Sequence, residues 1–388
     1  MEFTLSKRLQ NLPPYLFLEI DRAKRQARQE GRDIIDLGVG DPDQPTPAFI
    51  IDSLYRASQD PANHRYALDQ GMPALREAIS EWYKKRFGVI LDSGSEVLPL
   101  IGSKEGIAHF PLAFINPGEY TLVPDPCYPP YKGGTIFAGG KPYLMPLAAK
   151  NNFLPDFKKI PLTVLKKAKV LFINYPNNPT GAVADSSFYK DTVDFASKYG
   201  LIVVSDLAYS EMSYDGYKPA SFLEIPGAKD VGIEFHSLSK TCNMTGWRVG
   251  WACGNKTLIS ALAKVKSNID SGIFSAIQVA GITALKGQDE HVRSMCNLYQ
   301  GRRDLFVTGL NELGWKVKKP HATFYIWAPI PRKITSIEFA QGLLKKCDIV
   351  ATPGVGFGKH GEGYIRFALT VPETRMKEAL GRLKTFSL

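Results

Sequence analysis

Cysteine is scarce and scattered in this 388-residue chain: Cys127, Cys242, Cys253, Cys296 and Cys347 are all there is, with no CxxC pair. An odd, dispersed set argues against a disulfide framework and a zinc site, and reduced thiols are expected. Histidine is equally thin, six residues without an HExxH, so no metal is expected. Acids are outnumbered 38 to 48 by lysine and arginine, a formal charge of +10. The basic residues nevertheless come in short groups such as Lys84-Lys-Arg86 and Lys166-Lys167, mixed with acids and without a nucleic-acid motif. Solvated helix faces explain them better than a nucleic-acid partner, and the positive field would draw acidic small molecules. No apolar run reaches the ~20 residues of a membrane helix. Residues Met1 to Arg8 lack a secretory apolar core, so a cytoplasmic location without membrane contact is expected. Repeats and low-complexity tracts are also missing.

What is present is an alternation. Helical patterns at Ala74 to Arg86, Ser186 to Tyr199 and Lys256 to Ser267 alternate with apolar strands near Tyr120 to Val123, Val170 to Ile173, Leu201 to Val204 and Val249 to Cys253. This predicts an α/β fold with a mostly parallel sheet covered by helices. The length and the 44% hydrophobic content suit one large core plus a smaller domain.

Chemistry concentrates in Ser237-Leu-Ser-Lys-Thr-Cys-Asn-Met-Thr-Gly-Trp-Arg248. A lysine that attacks a carbonyl or takes a proton must be partly neutral, and desolvation or a nearby cation lowers its pKa. Ser237, Ser239 and Arg248 offer the donors a phosphate accepts. Lysine and phosphate site together read as a pyridoxal phosphate anchor; a surface loop is the plain alternative. Upstream, Leu201 to Val204 runs into Asp206, and strand ends are where open α/β sheets bind ligands. An aspartate there can pair with a protonated pyridine nitrogen, with Tyr209 donating to a ring oxygen, or it can simply cap a helix. The strand Val170 to Ile173 leads into Asn174-Tyr-Pro-Asn-Asn-Pro-Thr-Gly181, turn chemistry that would also hold an asparagine amide rigidly. Ile101-Gly-Ser-Lys104 precedes a helical stretch, Glu105 to Ala113, so Ser103 and backbone N–H groups would face an anion.

Taken in order, Asn178-Pro-Thr-Gly181, Asp206-Leu-Ala-Tyr209, Ser237-Leu-Ser-Lys240 and Arg248 resemble the motifs of the fold-type I, class I/II pyridoxal phosphate dependent aminotransferases, and the likeness extends over nearly the whole chain. The resemblance implies a seven-stranded, mostly parallel sheet in a large domain of residues 46–280. Residues 1–45 and 281–388 would form a second, smaller α+β domain, with the site in the cleft between. It also implies that Lys240 carries the cofactor covalently and acts as the general base, and that Asp206 holds the pyridinium. Asn178 and Tyr209 would bond the ring oxygen. Ser103, Lys104, Ser237, Ser239 and Arg248 would surround the phosphate. Tyr128 matches the aromatic residue stacked on the ring, and Arg366, in the strand-like Tyr364-Ile-Arg-Phe367, the arginine that holds the substrate carboxylate bidentately. Gly40 matches the substrate loop. Tyr66, in His64-Arg-Tyr66, resembles the tyrosine that reaches the neighbouring subunit's phosphate, so a homodimer is implied.

A narrower likeness is carried by Leu12-Pro-Pro-Tyr-Leu-Phe17, Gly38-Val-Gly-Asp-Pro-Asp43, Ile101-Gly-Ser-Lys-Glu-Gly106, Asn243-Met-Thr-Gly-Trp-Arg248 and Ser267-Asn-Ile-Asp-Ser-Gly272, which resemble the LL-diaminopimelate aminotransferases. The implied reaction moves an amino group between LL-2,6-diaminopimelate and 2-oxoglutarate, a step of lysine biosynthesis. Tyr15, Lys104 and the partner's residues around Phe274 are the candidates for the distal end of the donor. Thr241-Cys242 departs from the expected proline and aromatic, which bears on specificity more than on cofactor binding. Aspartate, aromatic or alanine-type donors would use the same core residues, and another pyridoxal phosphate reaction on the same fold, such as a lyase or racemase, is a further alternative. Gly356-Phe-Gly-Lys-His-Gly361 satisfies the dinucleotide fingerprint GxGxxG, but it precedes a strand near the C-terminus rather than following an early one.

Overall fold

A computed structural model describes residues 3–13, 16–67 and 70–386. Its strands are β1 (Ile35–Asp36), β2 (Val97–Leu100), β3 (Tyr120–Asp125), β4 (Lys141–Pro146), β5 (Ala168–Ile173), β6 (Ile202–Asp206), β7 (Gly232–Ser237), β8 (Gly250–Gly254), β9 (Tyr325–Pro329), β10 (Ile349–Val350), β11 (Thr352–Pro353) and β12 (Tyr364–Ala368). Seven of them form one sheet in the order β2-β8-β7-β6-β5-β3-β4. Only β8 runs antiparallel to its neighbours, so the sheet is mostly parallel as expected.

Parallel strands covered on both faces must be apolar on both faces, and Val170 to Phe172, Val203 and Val204 are fully buried. Helices close over them with clear local signals. The helix Pro73–Phe87 opens on proline and ends at Gly88 in the left-handed region, with Lys84, Lys85 and Arg86 in its last turn. Ser186–Tyr199 is capped by the Asp185 side chain, which accepts from the Phe188 N–H at 2.9 Å.

One apolar core lies around Leu75, Trp82, Phe188 and Trp251, and a second around Phe110, Tyr131, Val204 and Phe235. A third packs Phe306, Leu310, Phe339 and Phe367 against the antiparallel sheet β11-β12-β9, and includes Ile35 and Leu37 from the N-terminal part. Those two residues are brought there by β1, which pairs in parallel with β10. Among the described residues no helix is long and apolar enough to cross a membrane.

Candidate active site

The carboxyl ends of β5 and β6, the turn after β7 and the end of β2 converge on a cavity of about 510 Å³. Twelve of the residues singled out in the sequence line it: Gly40, Ser103, Lys104, Tyr128, Asn178, Asp206, Tyr209, Ser237, Ser239, Lys240, Arg248 and Arg366.

Lys240 stands in the single turn Leu238–Thr241 that follows β7. Its amine donates to the carbonyl of Gly40 at 2.7 Å. Burial pushes its pKa down to about 8; Asp41 works against the shift, while Arg366 and Arg248 repel the ammonium. An amine near neutrality at that point can act as nucleophile and base.

Asp206 ends β6 and is buried. The hydroxyl of Tyr131 donates to its Oδ2 at 2.7 Å, whereas Oδ1 has no hydrogen-bond partner. Burial raises this carboxyl to about 6, and the Tyr131 hydroxyl and the nearby Ala208 N–H only partly offset the rise. A buried polar atom left unmet at a cavity wall is capacity for a ligand donor.

An anion corner lies elsewhere in the cavity. The helix Ser103–Phe114 begins there, preceded by Gly102 at φ +75°. A Cβ on Gly102 would overlap the guanidinium of Arg248, so glycine lets Arg248 lie against the helix N-terminus. Arg248 also donates to the carbonyl of Thr245 at 2.7 Å. Ser237 and Ser239 are joined hydroxyl to hydroxyl at 2.9 Å, and Ser237 accepts from the Ser239 N–H at 3.1 Å.

Arg366, on β12, reaches into the cavity from the small sheet. It donates to Asn178 Oδ1 at 2.8 Å and to the carbonyl of Gly38 at 2.7 Å. Two rings lie against its guanidinium, Tyr325 at 4.1 Å and Phe357 at 4.6 Å. The hydroxyls of Tyr209 and Tyr325 are 3.0 Å apart. Near-neutral lysine, half-bonded carboxylate, anion corner and carboxylate-type arginine together fit a carbonyl-bearing heteroaromatic phosphate with an amino acid beside it.

Residues 32–383 match the family Aminotransferase class I and II. The chain belongs to this family. The aminotransferase is 55% identical over 379 residues to the LL-diaminopimelate aminotransferase of Moorella thermoacetica, covering 98% of this chain and 97% of that one. It is 54% identical over 384 residues to the LL-diaminopimelate aminotransferase of Desulforudis audaxviator, with 99% and 98% covered. Among solved structures, substrate-bound BacF from Bacillus subtilis superposes with a TM-score of 0.97 at 40% identity, covering 100% of the aminotransferase and 99% of that chain.

One expected residue is not at the cavity of the aminotransferase, and a second cannot be placed relative to it. Tyr66 is 92% exposed in the chain, and Tyr15 lies outside the described residues. Sequence reasoning missed Tyr131, Asn174, Tyr325 and Phe357. Asn174 binds the carbonyl of Asp206 at 2.7 Å and, through Oδ1, the N–H of Asn178 at 2.9 Å. It belongs to the same Asn-Pro loop, so its strand-end position was a usable signal. Tyr325 and Phe357 come from elements far along the chain and carried none.

Proposed function

We propose that this aminotransferase uses pyridoxal 5'-phosphate to move an amino group from LL-2,6-diaminopimelate to 2-oxoglutarate, a step of lysine biosynthesis in the cytoplasm. The observation that carries the cofactor reading is the pairing, in one cavity, of a lysine lowered to about 8 with a buried aspartate that has an unpartnered oxygen. The donor rests on the full-length likeness to relatives that carry that name.

Bound there, the cofactor would supply an electron-withdrawing ring that makes the donor's α-proton acidic. Lys240 would hold the cofactor and, once released by the donor, take the α-proton at Nζ. Asp206 Oδ1 would accept the ring N–H and keep it protonated. Phosphate would be bound by the N–H groups at Ser103, by Ser237, Ser239 and Arg248, with Lys104 nearby. Asn178 and Tyr209 would bond the ring oxygen and Tyr128 would stack on the ring. Arg366 would grip the α-carboxylate with its fork, assisted by Asn178 and the Gly40 loop. Tyr15, Lys104 and Phe274 of the partner subunit would meet the distal end of the donor. The exposure of Tyr66 suits a homodimer in which it completes the partner's phosphate site, and the sheet-bearing residues 46–280 serve as the cofactor domain, with residues 1–45 and 281–388 as the smaller one.

The test is a half-reaction. The visible band of the loaded enzyme should be lost on adding LL-diaminopimelate, and regained with 2-oxoglutarate. A response to aspartate but not to diaminopimelate would discard the donor; no visible band after adding pyridoxal phosphate would discard the cofactor.

A further inference from the structure

The GxGxxG stretch has a different place in this fold. Gly354–Phe357 and Lys359–Gly361 form two short turns just before β12, and they are tied to the far end of β3 by Asp125, whose side chain is fully buried. Asp125 Oδ1 accepts from Lys132 Nζ at 2.7 Å. Its Oδ2 accepts from the backbone N–H of His360 at 3.1 Å and meets His360 Nδ1 at 2.5 Å. A carboxylate only accepts, so Nδ1 carries the proton. Gly358, at φ +141°, has no room for a Cβ, which would overlap the carboxylate. Between these ties sits Phe357. Its carbonyl accepts from the Cys127 N–H at 3.0 Å and from Lys132 at 3.4 Å, and its ring lies on the Arg366 guanidinium.

A planar guanidinium recognises a carboxylate bidentately only when its plane is held within about 10–20° of the productive one. Asn178 and Gly38 hold its edge, and the Tyr325 and Phe357 rings pack against the guanidinium and limit its tilt. We propose that Asp125 is a positioning residue for the substrate carboxylate: by locking the Gly354–Gly361 loop onto β3 it holds Phe357 against Arg366. The proposal rests on the reading of Arg366 as the carboxylate-binding residue.

Steady-state kinetics of the loaded enzyme test it. Asp125→Asn should raise KM for both the amino acid and the 2-oxo acid by roughly 10-fold or more, the scale of a lost charge-assisted hydrogen bond, with kcat within about threefold and the visible band unchanged. His360→Ala, at a side chain one-third exposed, should raise KM roughly two- to fivefold and carries the test should Asp125→Asn fail to fold. Unchanged KM in a folded Asp125→Asn or His360→Ala variant, with only a lower melting point, would make the cluster a structural tie and overturn the proposal. Arg366→Lys separates the two readings. If it raises KM while the Asp125 and His360 variants do not, the site reading stands and the positioning role falls; if Arg366→Lys leaves KM unchanged, both fall.

Discussion

Asp206 and Glu234 are buried carboxylates on adjacent strands, β6 and β7, and they have opposite bonding. Ser205 pairs in register with Glu234 and Asp206 with Phe235, so the two carboxylates point to opposite faces of the sheet. Glu234 is saturated: Tyr83 and Ser221 hydroxyls donate to Oε1 at 3.2 and 2.6 Å, and the Ser205 hydroxyl and Phe222 N–H donate to Oε2, each at 3.0 Å. Asp206 has Tyr131 on one oxygen and nothing on the other. Burial raises both groups, Glu234 to about 7 and Asp206 to about 6. Depth therefore does not tell them apart. Bonding does: a saturated carboxylate ties together the elements that donate to it, while a half-bonded one on a cavity wall is kept for something that binds.

The contrast breaks most visibly at the cavity. Lys240→Ala should lower turnover by roughly five orders of magnitude or more while leaving the melting point near that of the parent; measurable turnover at the parental rate would remove the lysine from the mechanism. A reciprocal pair of variants then sharpens the comparison. Asp206→Ala should cut kcat roughly 100- to 10,000-fold, with a smaller loss of cofactor affinity and little loss of stability. Glu234→Ala should do the reverse, costing about 3–5 kcal/mol in denaturant unfolding because four buried donors lose their acceptor, with kcat per folded molecule nearly unchanged. Equal effects of the two variants on both readouts would show that the unmet oxygen marks nothing.

Why some of this was legible in the sequence and some was not follows from the same sheet. The central parallel strands β5 and β6 read directly, because burial on both faces demands unbroken apolar runs, and the helices Ser186–Tyr199 and Pro73–Phe87 fell within about two residues of their expected ends. The two edge strands were missed. β2 contains Pro99 and β4 contains Pro142 and Pro146, and proline is tolerated at an edge but argues against a strand in a sequence. β7 was missed for another reason: Glu234 and His236 interrupt its apolar run, and both are fully buried. His236 stacks on Trp251 at 4.8 Å and meets Ser210 at 2.9 Å, partners distant in the chain. Site residues followed the same division. Lys240, Asp206, Asn178 and Arg248 stand in local motifs, whereas Tyr131, Tyr325 and Phe357 join the site only through tertiary packing, which no local pattern announces.

The smallest expected effect is also the most direct probe of the unmet oxygen. In the cofactor-free protein, Asp206 keeps its proton up to about 6, against 3.8 for an ordinary aspartate. Between those values the folded state binds more protons than the unfolded one, so stability falls as pH rises through about 6 and is flat above. Asparagine at this position has no proton to lose. The stability of Asp206→Asn relative to the parent should therefore be lowest below about pH 4 and should rise by on the order of 1–3 kcal/mol by about pH 7, measured by urea unfolding of the cofactor-free proteins. Adding pyridoxal phosphate should narrow the gap, because a ring N–H would give the parent's Oδ1 the donor it lacks. A pH-independent difference would mean that Asp206 is as well solvated as a surface carboxylate, and its contrast with Glu234 would then be one of exposure rather than of bonding.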